Sequence, residues 1–227
     1  AQDAADATAQ ATPLDNPPLV RIDRGAAAQL KLQAQTEALP EVQGAAPIRN
    51  AELSLDIRLR PGQILNPATG RFDNVSLRSY VDANGTPPGQ YFIAPTIETR
   101  PGETVRMRLY NGLDPQPGCT PPDINTPHCF NSTNLHSHGL WVSPAGNGYA
   151  IPDTHPAGTF WYHPHLHGST ALQVSSGMAG AIVIRGNRLP HKTAGVVQTG
   201  DIDTLLRHPD GTPWSERVIV FQQIQYA

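Results

Sequence analysis

Two histidine pairs are the residues whose type and spacing point most directly to chemistry. His136 and His138 stand two apart in LHSHG, and His163 and His165 stand two apart in WYHPHLHG. In an extended strand, residues i and i+2 point to the same face, so the two members of each pair project together. If the two strands are neighbours, four imidazoles converge on one patch, with no carboxylate or thiolate in either motif. Such a donor set suits copper, zinc, iron or nickel better than calcium or magnesium, and copper is the first hypothesis.

The overall composition is that of a β-rich protein. Charged residues make up only 15% of the chain, and its 23 prolines and 20 glycines show no collagen-like period. Both residue types are frequent in turns and unfavourable inside helices. A net charge of −3 gives no electrostatic reason to expect nucleic acid or a membrane as a partner. No apolar run approaches the roughly 18 residues that would span a bilayer.

Alternating and apolar segments predict the strands that must carry the histidines. Leu53, Leu55, Ile57 and Leu59 alternate with polar residues, as in a half-buried strand. Further strands are predicted around 75–80 and over 104–110, 158–163, 179–184 and 217–221, with a turn at 66–70 and a short helix within 169–178. Short strands separated by turn signals are typical of an all-β sandwich or barrel.

The composition along the chain divides it into three parts. Residues 1–45 are rich in Ala, Gln and Pro and are predicted to be an irregular leader, with at most a short helical turn at 30–39. Residues 46–187 form the β domain, and residues 188–227 form a linker and the first strand of a truncated second domain. An isolated terminal strand cannot bury both of its faces. We therefore expect the chain to be a fragment.

The only cysteines, Cys119 and Cys129, lie in a proline-rich loop. A disulfide that closes this loop is the first interpretation, with free thiols or a metal ligand as alternatives. The start of the chain lacks the basic and apolar regions of a signal peptide, but it resembles a mature N-terminus left after signal removal. Both features favour a periplasmic or secreted protein, whereas an ordinary cytosolic start is the alternative reading of the N-terminus.

Four segments together resemble a known family. Residues 134–140 (NLHSHGL) and 156–168 (PAGTFWYHPHLHG) resemble the first two copper motifs of the multicopper oxidases, the family of laccases and bilirubin oxidases. Residues 95–105 and 176–184 are similar to the strands that open and close the first cupredoxin domain of that family. The order and spacing of the four segments make the match specific. The resemblance implies a cupredoxin-like Greek-key β-sandwich or barrel.

The resemblance also implies a role for each paired histidine. His136 matches the ligand of the type 2 copper, and His138, His163 and His165 match ligands of the type 3 copper pair. In the family this site reduces O₂ to water with four electrons, which come one at a time from a reducing substrate such as a phenol or a metal ion. C-terminal cupredoxin domains supply the other ligands.

Neighbouring residues receive structural roles in this interpretation. His167 falls outside the paired motif and is expected to have a supporting or surface role. Trp161 and Tyr162 are expected to pack in their strand, and His155 is expected to be structural. No catalytic residue is predicted besides the copper ligands.

The sequence departs from the family pattern in ways that limit its predicted activity. It lacks the C-terminal His-Cys-His segment, and His128-Cys129-Phe130 supplies only half of such a segment. A type 1 copper needs a Cys thiolate and two histidines, so the isolated chain is expected to be inactive as an oxidase. Only 24 residues separate His138 from His163, which suggests a deletion or missing residues near 147–148.

Two other functions remain open at this point. The four histidines are also compatible with a copper-binding module that has no catalytic activity. A zinc hydro-lyase or hydrolase is a further alternative, since zinc catalysis needs three protein ligands and one open position. Copper stoichiometry, O₂ consumption and activity with zinc alone distinguish the three.

Overall fold

The computed structural model describes residues 16–24, 49–83, 85, 94–119, 126–142 and 149–225. In chain order its elements are β1 (Arg49–Asn66), β2 (Arg71–Asp82), β3 (Ile97–Thr99), β4 (Glu103–Asn111), β5 (His136–His138), β6 (Tyr149–Ala150), β7 (Gly158–His163), α1 (Thr170–Ser175), β8 (Gly180–Ile184), β9 (His191–Thr193), β10 (Val196–Gln198) and α2 (Ile202–Leu205). The predicted helix at 30–39 and the predicted irregularity near 147–148 lie outside the described residues.

Two four-stranded sheets make up most of the domain. One has the order β2-β1-β4-β6 and the other the order β3-β8-β7-β5. β1 and β4 pair in parallel, as do β3 and β8, whereas the other neighbours in these sheets are antiparallel. Parallel neighbours require long crossover connections, so the chain passes repeatedly between the sheets. The predicted all-β fold class is confirmed.

The core lies between the two sheets. Leu53, Leu55 and Ile57 of β1 are buried, as their alternation predicted, and they belong to one hydrophobic cluster with Tyr162 of β7 and Ile182 of β8. β8 is buried along its whole length, which explains its continuous apolar sequence. Leu59, the last residue of the predicted alternation, is not buried. It is 45% exposed, because it lies in the part of β1 that extends beyond the core.

A segment near the N-terminus is tied to this core. Residues 16–24 form bridges to the domain at Leu19–Thr96 and Asp23–Glu52, and Val20 belongs to the hydrophobic cluster. The Arg24 guanidinium pairs with the buried carboxylate of Glu103 at 2.9 Å. This part of the predicted leader therefore packs as an integral piece of the domain.

The predicted strand over residues 217–221 is absent from the structure. These residues run without a ladder to any strand in the described part of the chain, and the side chain of Phe221 is 93% exposed. The segment is held by separate contacts, among them the hydrogen bond from the Val218 N–H to Asn16 Oδ1. An apolar run produces a strand only where a neighbouring strand offers its backbone groups.

The region between the β domain and this segment carries some structure of its own. β9 and β10 form an antiparallel hairpin, and α2 follows it. Arg188 binds Asp201 through its side chain at 2.6 Å. Burial raises the pKa of the Asp201 carboxyl, but the pairing with Arg188 outweighs it, so the pKa is lowered.

None of the described helices is long and apolar enough to cross a membrane.

Candidate metal centre

The histidine pairs lie side by side at one edge of the second sheet. β5 and β7 are antiparallel neighbours, and their register places His136 opposite His163. The ring centroids of His136 and His163 are 5.3 Å apart, and each lies just under 6 Å from the centroid of His138. One nitrogen from each of these three rings lies within 4.8 Å of the other two. The structure thus brings three of the four predicted ligands within reach of one small volume.

His165 joins the cluster from beyond the end of β7. Its ring centroid is 5.0 Å from that of His136 and 5.9 Å from that of His163. His163 is buried, whereas His136, His138 and His165 are exposed. The four imidazoles therefore form a surface patch with one buried member.

The hydrogen bonding of His163 leaves one ring nitrogen available. Nδ1 lies 2.8 Å from the carbonyl oxygen of Pro164, and because a carbonyl can only accept, Nδ1 carries the proton. Nε2 is buried and has no hydrogen-bond partner among the described residues. A buried polar atom without a partner is costly, whereas a neutral imidazole held through its other nitrogen is the usual form of a histidine metal ligand. The ring of His163 therefore fits a metal ion.

The electrostatics of the patch also favour a neutral imidazole at His136. Partial burial lowers the pKa of His136, and the nearby rings of His163, His165 and His138 lower it further. A lowered pKa leaves the lone pair free at neutral pH, as ligation requires. Every member of the candidate group is a histidine, so the donor set excludes the oxygen ligands that calcium and magnesium prefer.

The aromatic residues between the histidines pack as predicted. The ring of Trp161 stacks on His163 at 4.2 Å and lies 5.1 Å from the ring of His138. Tyr162 is fully buried on the opposite face, where its hydroxyl donates to the carbonyl of Pro95 at 2.7 Å. Burial raises the pKa of Tyr162, so this hydroxyl remains a donor. The alternation within β7 thus sends one aromatic ring to the histidine patch and the other into the core.

The other histidines in the region are placed differently. His155 is buried and uses both ring nitrogens, since Nδ1 lies 2.8 Å from Pro156 O and Nε2 accepts from the Trp141 N–H at 3.0 Å. It links the loop after β5 to the loop before β7, in agreement with the structural role that the sequence suggested. His167 is exposed, and its ring lies 6.0 Å from that of His165.

Cys119 and Cys129 form the predicted disulfide. The neighbouring His128 donates its backbone N–H to the carbonyl of Gly168, and its ring contacts the carbonyl of Thr126. His128 and Cys129 therefore belong to the disulfide loop, outside the group of three histidines.

Removing the disulfide is expected to destabilise the domain. Replacing Cys119 and Cys129 with serine frees a short loop in the unfolded chain, and the expected loss is about 2–3 kcal/mol in the free energy of unfolding. Urea unfolding of the oxidised protein and of the double variant measures this loss. A reducing agent should shift the unfolding midpoint of the parent protein but not that of the variant. An unchanged midpoint for the reduced parent protein would contradict the prediction.

Sequence reasoning missed one residue that the structure places against the histidines. The side chain of Asn134 bonds the backbone of His165 at two points, 2.7 Å and 3.0 Å. Its position in the sequence carries a signal, because Asn134 precedes His136 by two residues and would share its face if the chain before β5 were extended.

The sequence of this chain is similar to those of known multicopper oxidases. Residues 142–188, which include the second histidine pair, match the family model described as multicopper oxidase. The chain is 27% identical over 109 residues to the multicopper oxidase mco of Staphylococcus aureus, covering 42% of this chain and 21% of that protein. It is 28% identical over 127 residues to Laccase-3 of Thanatephorus cucumeris, covering 48% and 19% of the two chains.

A solved structure of a laccase-like multicopper oxidase from Ochrobactrum sp. is 23% identical with a TM-score of 0.44, covering 76% of this chain and 30% of that one. The chain spans about a fifth of the length of the curated relatives it matches. The sequence matches are therefore to proteins of the multicopper oxidase family.

Proposed function

We propose that this chain supplies half of the ligands of a trinuclear copper site in a laccase-like multicopper oxidase. In this proposal His136 binds the type 2 copper, and His138, His163 and His165 bind the type 3 pair. The observation that carries the proposal is the convergence of four imidazoles around the unpartnered Nε2 of His163.

Copper bound at such a site supplies one-electron redox chemistry and a place for O₂. The chain's own residues hold the ligands in position. Pairing of β5 with β7 sets His136 against His163, and the Pro164 carbonyl keeps the proton of His163 on Nδ1. Trp161 covers one face of the His163 ring and so shields it from water.

The exposure of the patch supports completion by another domain. Three of the four imidazoles are exposed, so a second set of ligands can approach them from outside the sheet. We propose that C-terminal cupredoxin domains supply that set and a type 1 copper. The parts are then a leader (1–45) of which residues 16–24 pack on the domain, the copper-binding domain (46–187) and the linker that leads to the second domain (188–227).

The complete protein would couple one-electron oxidation of a small reducing substrate, a phenol or a metal ion, to the four-electron reduction of O₂ to water. We further propose that it works in the periplasm or is secreted. The disulfide supports an oxidising compartment, because disulfides rarely persist in the cytosol.

Copper titration and O₂ consumption test this proposal. The 227-residue chain should bind copper ions without the intense blue absorption of a thiolate-bound type 1 centre, and with a phenol it should consume O₂ no faster than free copper does. A longer form that carries the downstream domains should oxidise the phenol with O₂ uptake. Oxidase activity of the short chain would contradict the proposed division of ligands.

The other outcomes identify the alternative functions. If the longer form binds copper but never consumes O₂, the protein is a copper-binding module without oxidase activity. Hydrolase or hydro-lyase activity with zinc alone would replace the copper proposal altogether.

A further inference from the structure

The position of His165 has no explanation in the sheet that holds the other three histidines. β7 ends at His163, and Pro164 follows without a backbone N–H to donate. The ladder between β5 and β7 covers only residues 136–138 and 161–163. Something other than sheet pairing must therefore hold the main chain at His165.

The side chain of Asn134 occupies the place where the ladder would continue. The register that pairs His136 with His163, carried two residues further, pairs Asn134 with His165. Asn134 Oδ1 accepts a hydrogen bond from the His165 N–H at 2.7 Å, and Asn134 Nδ2 donates to the His165 carbonyl at 3.0 Å. The carboxamide thus satisfies both backbone groups of His165, as a backbone-paired residue opposite it would.

Asn134 is itself anchored in the core. Its backbone carbonyl accepts a hydrogen bond from the hydroxyl of Tyr80 at 2.7 Å, and the ring of Tyr80 is buried against that of Tyr162 at 5.5 Å. Burial raises the pKa of Tyr80, so the hydroxyl stays protonated and keeps donating. The next residue, Leu135, packs against the hydrophobic cluster, which turns the Asn134 side chain toward the histidine face.

We propose that Asn134 is a positioning residue that locks the main chain of His165 so that its imidazole faces His136. The inference rests on the proposed copper function, in which these two histidines serve different copper ions. Without the carboxamide, the main chain after Pro164 loses both of its bonds at His165, and the imidazole loses its fixed distance of 5.0 Å from the His136 ring. A metal ligand that must be ordered on binding lowers the affinity, because the ordering entropy opposes association.

Replacing Asn134 tests the proposal in two independent ways. In Asn134→Ala, hydrogen exchange of the His165 amide should become fast in the metal-free chain, while amides within β7 and β8 keep their protection. Affinity for Cu⁺, measured by competition with a chelator, should fall about 10–100-fold, the range found when a group that orients a metal ligand is removed. Asn134→Asp keeps the acceptor for the His165 N–H but loses the donor to the His165 carbonyl. Its affinity for Cu⁺ should therefore lie between that of the parent chain and that of Asn134→Ala.

Asn131→Ala is the matched control. Asn131 lies three residues earlier, and its side chain also bonds a main-chain carbonyl, that of Asp114 at 2.8 Å, as well as the guanidinium of Arg78. None of these bonds involves either histidine pair, so replacing Asn131 should leave Cu⁺ affinity and His165 exchange unchanged even if it lowers the thermal midpoint. This separates a positioning effect from a general loss of stability.

The outcomes are distinguishable from failure of the proposed function. Parent chain that binds no Cu⁺ would overturn the copper proposal, and this inference with it. Parent chain that binds Cu⁺ and is weakened by His165→Ala, but not by either Asn134 variant, would overturn this inference alone. If Asn134→Ala does not fold, the Asp variant decides, and unchanged affinity and unchanged His165 exchange in that variant would overturn the inference.

Discussion

The His163→Ala variant is expected to lose copper binding almost completely. The His163 ring lies between 5.3 Å and 5.9 Å from the rings of His136, His138 and His165, and its Nε2 is the buried nitrogen without a partner. Loss of a ligand should cost more than the roughly 10–100-fold in affinity that follows removal of a group that only orients one. Competition titration with Cu⁺ measures this loss.

The matched control for this variant is His167→Ala. His167 is the same residue type and follows β7 by four residues, but it is exposed and its ring lies 6.0 Å from that of His165. Its replacement should leave Cu⁺ affinity within about twofold, well under the roughly 1.4 kcal/mol that a tenfold change represents. Equal losses in the two variants would show that histidine content, rather than the arrangement of the rings, governs binding.

The Glu103→Ala variant should produce the largest loss of stability. The Glu103 carboxylate is fully buried and accepts bonds from Arg24 at 2.9 Å, the Thr99 hydroxyl at 2.8 Å and the Arg100 N–H at 3.1 Å. Its removal leaves the guanidinium of Arg24, only 16% exposed, without its carboxylate. Breaking a buried pair from one side typically costs about 3–5 kcal/mol, which urea unfolding measures.

An exposed pair in the same sheet provides the comparison. Glu52 binds Arg106 and Arg108 at 2.8 Å and 3.2 Å, and all three side chains are about half exposed. Because water and salt screen such pairs, Glu52→Ala should cost no more than about 1 kcal/mol. A double change of Arg24→Met with Glu103→Leu should recover much of the loss, because no charge is left buried. A loss in Glu103→Ala as small as that in Glu52→Ala would refute the argument from burial.

The strands were predictable where one face of the sheet is buried. The alternation of Leu53, Leu55 and Ile57 and the apolar run of β8 both follow from contact with the core, and both are confirmed. The segment 217–221 is an apolar run like that of β8 but has no neighbouring strand in the described structure. The distribution of apolar residues shows which side chains prefer burial, but a strand also needs a neighbouring strand to pair with its backbone groups.

Local backbone geometry was enough to predict that His136 and His138 share a face, and likewise His163 and His165, because a period of two is a property of any extended strand. The residue types alone also favoured a transition metal over calcium or magnesium. Adjacency of the pairs and the register of His136 opposite His163 depend on contacts between residues far apart in sequence. The same is true of the burial of Nε2 of His163 and of the bonds from Asn134 to His165. These features arise only once the two sheets have packed, because packing encloses that nitrogen and brings the hydroxyl of Tyr80 to the carbonyl of Asn134.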